Sequence, residues 1–366
     1  MICRETEYYN FRNIKEKNIK FSDRVNVIYG DNAQGKTNIL ESIYLFSSTK
    51  SFRTKKEEEL ISFGSDRAEI KMLYYSEKTE NKMSIQYFKN EKRLLKKNGV
   101  TMEKVSEFIG NFRSVLFSPD HLSMVKDGPF YRRNFLDMAI AQIRPSYVRF
   151  YQKYSAILRQ RNCLLREASK GTGLSDTIEI FDIQLAQAAS VIAVMRQEYL
   201  QKLEEAAAKI YSEIALQKEK FEIIYQSEEM KEKADKDTFL QFYLKKYSEN
   251  KEREIRYGTT LFGPHRDDFS FYLDGNDARL YASQGQARSI VLALKLAEGE
   301  LSKELCGEYP VFLLDDILSE LDMHRQSFLL SLISDRQIII TSCIDETLKS
   351  FPQANQICIR NGKVEQ

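Results

Sequence analysis

The segment Gly30-Asp31-Asn32-Ala33-Gln34-Gly35-Lys36-Thr37 has the glycine, lysine and threonine spacing of a phosphate-binding loop. It follows the β-branched run 25–29 and precedes residues 38–46, in which apolar side chains recur at helical spacing. Loops of this kind surround phosphate groups with backbone N–H groups, and their glycines allow the close approach. The pattern therefore predicts a strand–loop–helix unit that binds a nucleotide, with Lys36 reaching the β- and γ-phosphates and Thr37 ligating Mg²⁺.

Two adjacent carboxylates end a second apolar strand, far along the chain. Asp315 and Asp316 directly follow the run 311–314, and a third apolar run occupies residues 337–341. In a chain with a phosphate-binding loop, we expect Asp315 to hold Mg²⁺, directly or through water. Asp316 is then placed to polarise the attacking water as a general base. By itself an Asp pair at a strand end is an ordinary feature, and the loop gives it this meaning.

The tetrapeptide Ser283-Gln284-Gly285-Gln286 lies just before a predicted helix that runs from about 285 to 305. In ATPases of the ABC type, a Ser-x-Gly-Gln sequence upstream of the Asp pair caps a helix. Its serine hydroxyl and helix dipole point at the γ-phosphate that the opposite subunit binds. The alternative is an ordinary serine N-cap. Residues 319–322 fit the loop with which these ATPases couple two facing sites.

Composition excludes some classes of protein and leaves others open. The chain has 366 residues, of which 42% are hydrophobic and 30% charged, enough for two globular domains or one with an insertion. No apolar run approaches the roughly 20 residues of a membrane helix, so we expect no membrane partner. The five cysteines lie far apart, which favours a cytoplasmic protein without disulfides or zinc. With a net charge of +2, any nucleic-acid binding must come from local patches.

The order of predicted elements indicates an α/β head that is interrupted by helices. Residues 68–75, 82–88 and 92–97 alternate as strands of an antiparallel meander, and strands return after 256. Between 174 and 257 there is neither Gly nor Pro, and apolar residues recur at steps of three and four. We therefore divide the chain into an N-terminal part of the head (1–120), an inserted helical arm (121–255) and a C-terminal part (256–366). Two helices packed on a core are the alternative to an extended arm.

Taken together, several motifs resemble the RecF family of bacterial recombination and repair ATPases over almost the whole chain. The resemblance rests on these stretches: 10–13 (Asn-Phe-Arg-Asn), 30–38, 117–120 (Phe-Ser-Pro-Asp), 132–137 (Arg-Arg-Asn-Phe-Leu-Asp), 261–268 (Leu-Phe-Gly-Pro-His-Arg-Asp-Asp) and 313–322. The string at 263–268 is specific, because other ABC-type ATPases lack it. The resemblance implies an ABC/SMC-type P-loop ATPase head, with a mixed sheet, an antiparallel β-subdomain and an inserted helical arm.

The same resemblance implies a function, a set of partners and a set of site residues. It implies a slow ATPase in recombinational DNA repair, replication restart and the SOS response. ATP would drive a homodimer onto single- and double-stranded DNA at gaps or junctions, with RecR and RecO as partners and RecA loaded indirectly. The cofactors would be ATP and Mg²⁺. The catalytic residues would be Lys36, Ser283 and Asp316, and the metal ligands Thr37 and Asp315. The nucleotide-binding residues would be Arg12, Gly30, Asp31, Asn32, Ala33, Gln34, Gly35, Lys36, Thr37, Asn38 and Gln286.

Several assignments stay open in the sequence. Where many ABC ATPases place a histidine after the third apolar strand, this chain has Thr341, which the family pattern offers as a γ-phosphate sensor. His265 fits a turn-stabilising role better than a catalytic one, and Arg132 and Arg133 fit either an internal ion pair or a partner contact. Basic clusters offer DNA contacts or a solvated face: Lys55-Lys56, Lys92-Arg93 with Lys96-Lys97, and Arg159 with Arg161.

Two other functions use the same motifs. An ABC transporter subunit would carry the same loop and Asp pair, although its catalytic motifs stand closer together than Lys36 and Asp315. A DNA clamp that binds ATP without hydrolysing it is the second. ATPase stimulation by lipid would favour the first, and single-turnover hydrolysis would exclude the second.

Overall fold

The computed structural model describes residues 1–31, 34–171, 175–226, 234–333, 335–342, 351–360 and 363–365. The chain divides into two compact units. The first comprises 1–122, 209–218 and 284–366, and the second comprises 123–208 and 219–283. Strands and helices are numbered below in chain order.

An antiparallel sheet forms one layer of the first unit, in the order β2-β1-β4-β5-β6-β7. Its strands are β1 (Ile2–Phe11), β2 (Ile14–Lys20), β4 (Arg67–Ser76), β5 (Thr79–Phe88), β6 (Leu94–Lys97) and β7 (Val100–Thr101). In β4, Ala68, Ile70 and Met72 are buried while their neighbours are not, as the period of a strand with one buried face requires. The predicted meander is therefore confirmed.

The second sheet of this unit carries the phosphate-binding loop, in the order β15-β14-β3-β13-β12-β8. Its strands are β3 (Val25–Tyr29), β8 (Ser114–Phe117), β12 (Val311–Asp315), β13 (Ile338–Ser342), β14 (Asn355–Arg360) and β15 (Lys363–Glu365). All neighbouring pairs are parallel except β14 with β15. Every residue of β12 and β13 is buried, which explains their continuous apolar sequences. The carboxyl ends of β3, β13 and β12 lie side by side at one edge.

Helices α1 (Lys36–Ser48) and α10 (Gln284–Cys306) pack on this sheet, whereas α2 (Val105–Phe108) packs on β6 of the antiparallel sheet. The first unit also contains α11 (Met323–Ile333) and 3-10 turns at Glu57–Leu60, Pro119–Leu122 and Ile317–Glu320. In α1, Ile39, Ile43 and Phe46 are fully buried on one face, at the helical spacing read from the sequence. Each such side chain contributes about 1.5–3 kcal/mol through burial. This face fixes the start of α1, and with it Lys36 and Thr37, against the sheet.

The second unit is mostly helical. Its helices are α3 (Ser123–Lys126), α4 (Pro129–Ile143), α5 (Ser146–Ala168), most of α6 (Ser175–Ile214), α7 (Lys236–Glu249), α8 (Lys251–Tyr257) and α9 (Ala278–Tyr281). A small antiparallel sheet joins them, in the order β11-β10-β9. Its strands are β9 (Phe221–Gln226), β10 (Asp268–Leu273) and β11 (Asn276–Asp277). The long helix predicted through residues 181–210 is confirmed as α6.

The unit boundaries differ from the sequence prediction at two places, of which the first is residues 209–218, predicted in the helical arm and found in the first unit. Residues 256–283, predicted as part of the C-terminal head, lie in the second unit, because β10 pairs along its length with β9. The region predicted as wholly helical thus contains a strand. The turn before β9 uses Leu216 and Gln217, whose φ angles of 53° and 59° lie in the left-handed region. This turn contains neither glycine nor proline, so those two residue types do not reveal it in the sequence.

Helix α6 is long and apolar enough to span a membrane by length and composition. In this protein 56% of its apolar window is buried, and Arg196 within it is 1% exposed. Both features are ordinary in the core helix of a folded domain, so this helix is weak evidence for a membrane partner.

Candidate nucleotide-binding site

Two glycines let the phosphate-binding loop close tightly after β3. Gly30 has φ 145°, and an added Cβ atom would lie 2.1 Å from the carbonyl oxygen of Ile359 on β14. Gly35 has φ 112°, and its Cβ would lie 2.7 Å from the side-chain oxygen of Asn13. Any other residue would be strained in its backbone at both positions, and at Gly30 it would also clash with the backbone of Ile359. The motif's glycines are therefore required by the local packing as well as by phosphate approach.

The lysine of the motif lies inside the loop. Lys36 is 7% exposed, and its ammonium donates hydrogen bonds to the carbonyl oxygens of Gly30 and Asp31, the latter at 2.9 Å. On the outer side of the loop, Asn13 donates to the Gln34 carbonyl at 2.9 Å. These contacts hold one positive charge at the carboxyl edge of the sheet, where it can neutralise phosphate.

Three oxygen-bearing side chains converge at that edge. Thr37 donates to a carboxylate oxygen of Asp315 at 2.8 Å, and Thr341 donates to the same oxygen at 2.9 Å. Asp315 and Thr341 are register partners in the parallel pair β12/β13, so tertiary structure brings residues from three parts of the chain together. Burial raises the pKa of Asp315, and the two hydroxyl donors oppose that shift.

The chemistry of this donor set fits magnesium. Mg²⁺ prefers hard oxygen ligands and is usually held by one or two protein oxygens plus phosphate and water. Thr37 and Asp315 supply a hydroxyl and a carboxylate within hydrogen-bonding distance of each other. Among the residues that the structure describes, no group of three or more His, Cys, Asp or Glu forms an independent metal site.

Asp316 has a different environment from its neighbour. Its backbone is left-handed, with φ 50°, and its N–H donates to the Thr341 hydroxyl at 3.0 Å. Its carbonyl accepts from Ser319 at 2.7 Å. The left-handed backbone turns this exposed carboxylate away from the strand direction. Burial of part of the group raises the pKa of Asp316, and the Lys36 ammonium opposes the shift.

Comparison with known proteins gives the family. The RecF/RecN/SMC N terminal domain family matches residues 3–366. The chain is 40% identical over 359 residues to the DNA replication and repair protein RecF of Ruminiclostridium cellulolyticum, covering 97% of this chain and 96% of that protein. It is 39% identical over 364 residues to RecF of Thermoanaerobacter pseudethanolicus, covering 98% and 100%. The chain belongs to the RecF family.

Solved structures agree with this assignment. The recombination mediator protein RecF-ATPrS in the RecFOR pathway superposes with a TM-score of 0.93 at 36% identity, covering 99% of this chain and 97% of that one. A RecF-ATP structure gives the same TM-score and identity. An Smc head bound to the C-winged helix domain of ScpA has a TM-score of 0.57 at 15% identity and shows the shared fold alone. The predicted ABC/SMC-type head is confirmed.

In this RecF-family chain, two arginines and a buried carboxylate support the loop. Arg12, whose nucleotide contact stays a prediction, forms a two-pronged ion pair with the fully buried Glu41, at 2.9 and 2.7 Å. Arg53, which the sequence analysis missed, donates to Asn38 at 2.5 Å and opposes the raised pKa of Asp315. Asn38 also donates to Asn13 at 2.8 Å. The only sequence signal for Arg53 was its place shortly after the loop helix, which by itself is no motif.

The Ser-x-Gly-Gln segment begins α10. Ser283 is exposed, and Gln286 lies partly buried in the first turn. Within the first unit, Arg325 approaches to 3.4 Å of where a Cβ of Gly285 would stand and donates to Ser289 at 2.8 Å. Arg288 of α10 pairs with Glu320 at 2.5 Å. The start of α10 is therefore tied to the loop that follows Asp316.

The structure shows the surroundings of several residues whose roles the sequence left open. His265 donates from Nε2 to the Thr260 carbonyl, and its Nδ1 forms a hydrogen bond with the Tyr154 hydroxyl, as expected of a turn-stabilising residue. Arg132 forms an internal ion pair with Asp268. Arg161 is fully buried, which excludes both alternatives left open for it, a DNA contact and a solvated face. Asn32 and Ala33 lie outside the described residues, and the other nucleotide contacts stay predictions.

Proposed function

We propose that this chain is a DNA-binding ATPase of recombinational DNA repair and replication restart. ATP binding drives dimerisation and DNA binding at gaps or junctions, and slow hydrolysis releases the DNA. One observation carries the proposal. The cluster of Thr37, Asp315 and Thr341 stands beside Lys36 in a chain whose relatives are DNA replication and repair proteins.

The catalytic part of the proposal assigns a role to each group at the edge of the sheet. Lys36 and the loop N–H groups neutralise the phosphates, and Thr37 and Asp315 hold Mg²⁺, which supplies charge neutralisation at the β- and γ-phosphates when bound. Asp316, exposed and with a raised pKa, accepts the proton of the attacking water. Thr341 orients the Asp315 carboxylate and the backbone of Asp316, since its hydroxyl contacts a carboxylate oxygen of Asp315 and the Asp316 N–H.

The dimer part of the proposal rests on the start of α10. Ser283 is exposed beside the N-terminus of α10, so a γ-phosphate bound by a second copy would meet a hydroxyl group and the positive end of a helix dipole. If the loop that follows Asp316 changed its conformation, the ion pair of Glu320 with Arg288 would transmit that change to α10. ATP would then join two subunits, and its hydrolysis would separate them.

The partners follow from the relatives. A solved relative is described as a recombination mediator protein in the RecFOR pathway. By analogy we propose RecR and RecO as partners of this chain, with RecA loaded on gapped DNA as the indirect result. We propose both single- and double-stranded DNA as ligands, because a gap presents the two together.

Gel filtration of the Asp316→Asn variant tests the proposal. With ATP and gapped DNA, we expect this variant to bind ATP, to stall hydrolysis and to remain as a dimer on DNA. Asp66→Asn is the matched control, because the Asp66 side chain is 94% exposed on the other sheet of the same unit. If Asp316→Asn stays monomeric with ATP, or turns ATP over at the wild-type rate, the role of Asp316 as general base is refuted. Single-turnover hydrolysis by the wild type separates this function from a non-hydrolysing clamp.

A further inference from the structure

The loop formed by residues 260–268 of the second unit accepts hydrogen bonds from two buried arginines. Arg196 of α6 is 1% exposed and donates to the Pro264 carbonyl at 2.5 Å. Arg161 of α5 is fully buried and donates to the Thr260 hydroxyl at 2.8 Å. Burying charge in this way is costly unless it is fully paired, and it holds the backbone of the loop in one place.

The middle of the same loop is anchored by aromatic hydroxyls. Tyr225 and Tyr243 donate to one carboxylate oxygen of Asp267, at 2.6 and 3.1 Å. Tyr154 forms a hydrogen bond with His265, and burial lowers the pKa of that histidine to about 4, so its ring is neutral near pH 7. The loop is thus rigid on both sides of Arg266.

This rigid loop presents Arg266 to solvent. The Arg266 side chain is exposed and forms no hydrogen bond or ion pair within the described part of the chain. Arg133 of α4 lies against the loop, donating to the Asp267 carbonyl at 3.0 Å. On the same face of α4, Phe130 is 56% exposed and Asn134 is exposed. We call Phe130, Arg133, Asn134 and Arg266 the Arg266 surface.

The carboxylates nearest to the Arg266 surface do not cancel its charge. Asp137 is paired with Arg196 at 2.6 Å, and Asp268 with Arg132 at 2.7 Å. Asp267 accepts hydrogen bonds from Tyr225 and Tyr243. Each of these three carboxylates thus has a partner other than Arg266, and the surface combines the exposed Arg266 guanidinium with an exposed aromatic ring.

We propose that the Arg266 surface is a DNA contact, with Arg266 on a backbone phosphate and Phe130 against an unpaired base. Arginine side chains without an acidic partner bind phosphates by releasing counterions. Exposed aromatic rings stack on bases of single strands whatever their sequence. The proposal rests on the proposed function, because it assumes that the chain binds DNA.

Salt titration of DNA binding with ATP present tests the phosphate contact. In fluorescence anisotropy with a labelled duplex, Arg266→Gln should weaken binding and flatten the slope of log K against log salt by about 0.9, the value for one lost phosphate contact. Arg266→Lys, which keeps the charge, should keep the slope. Arg24→Gln is the control, because Arg24 is exposed just before β3, at the sheet edge opposite the phosphate-binding loop.

The base contact needs a second DNA ligand. Phe130→Ala should weaken binding of gapped DNA by about tenfold and leave a blunt duplex nearly unchanged, since only the gap offers an unpaired base. Equal loss on both ligands would overturn the assignment of Phe130. If Arg266→Gln and Arg24→Gln have the same DNA affinity and the same slope of log K against log salt, the proposal is overturned. An acidic protein partner would then be the occupant of the Arg266 surface. Failure of the folded wild type to bind any DNA with ATP would instead overturn the proposed function.

Discussion

The hydroxyl of Thr341 is the sharpest test of the proposed site. It donates to Asp315 at 2.9 Å and accepts from the Asp316 N–H at 3.0 Å, and the residue is 2% exposed. Thr341→Val keeps the shape and removes only the hydroxyl. Asp315 then loses one of two hydroxyl donors, and the N–H that holds Asp316 loses its acceptor.

The size of the effect follows from these two contacts. A hydrogen bond to a charged group contributes about 1.5–3 kcal/mol. Every 1.36 kcal/mol of lost transition-state stabilisation lowers the rate tenfold, so we expect kcat for ATP hydrolysis to fall about 10- to 150-fold. Lys36 and the loop are untouched, so KM for ATP should stay within about threefold of the wild-type value.

Steady-state ATPase kinetics with DNA present measure both constants. Thr341→Ser keeps the hydroxyl and is the matched control for Thr341→Val. Chemical denaturation of each variant separates lost chemistry from lost folding, because the buried hydroxyl also contributes to stability. Our reasoning is refuted if the valine variant turns over at the wild-type rate, or if the serine variant is impaired as much as the valine variant.

Three further predictions concern other parts of the molecule. Lys36→Ala should lower ATP turnover by about 100-fold or more, because it removes the ammonium from the phosphates; unchanged turnover would refute the site. Ser283→Arg should keep nucleotide affinity in the monomer but lose dimerisation in analytical ultracentrifugation with ATP, and a variant that still dimerises would make Ser283 a local helix cap. Asp267→Asn concerns pH: burial raises the pKa of Asp267 above 3.8, so its contribution to stability is lost as pH rises through that raised pKa. The variant should therefore gain in melting temperature relative to the wild type as pH rises above the ordinary carboxyl pKa of 3.8, and a difference independent of pH would contradict this.

The predictions that succeeded rest on local chemistry. Gly30 and Gly35 are needed for backbone reasons that any sequence with this loop shares, and Lys36 begins α1 where the motif places it. The apolar runs that became β12 and β13 are buried along their whole length, so composition identified them as strands of a parallel sheet. The long amphipathic period that became α6 was equally clear.

The surroundings of two arginines depend on partners distant in sequence. Arg161 has the composition of a DNA contact, and only the fold shows that it is buried against Asp182 and Glu254. Arg12 carries the family pattern of a nucleotide contact, and in the structure its guanidinium is paired with the buried Glu41. A charged side chain looks the same in the sequence whether it is solvated or buried in an ion pair.

The sequence by itself determined the nucleotide-binding unit and the family of this protein, because a phosphate-binding loop is encoded in a few neighbouring residues. Only the tertiary structure decided that Thr341 joins Asp315 and Asp316, since parallel strand order places the end of β13 beside that of β12. It alone assigned residues 256–283 to the second unit, through the pairing of β10 with β9. Strand pairing and buried ion pairs depend on contacts between distant segments, and no local pattern specifies them.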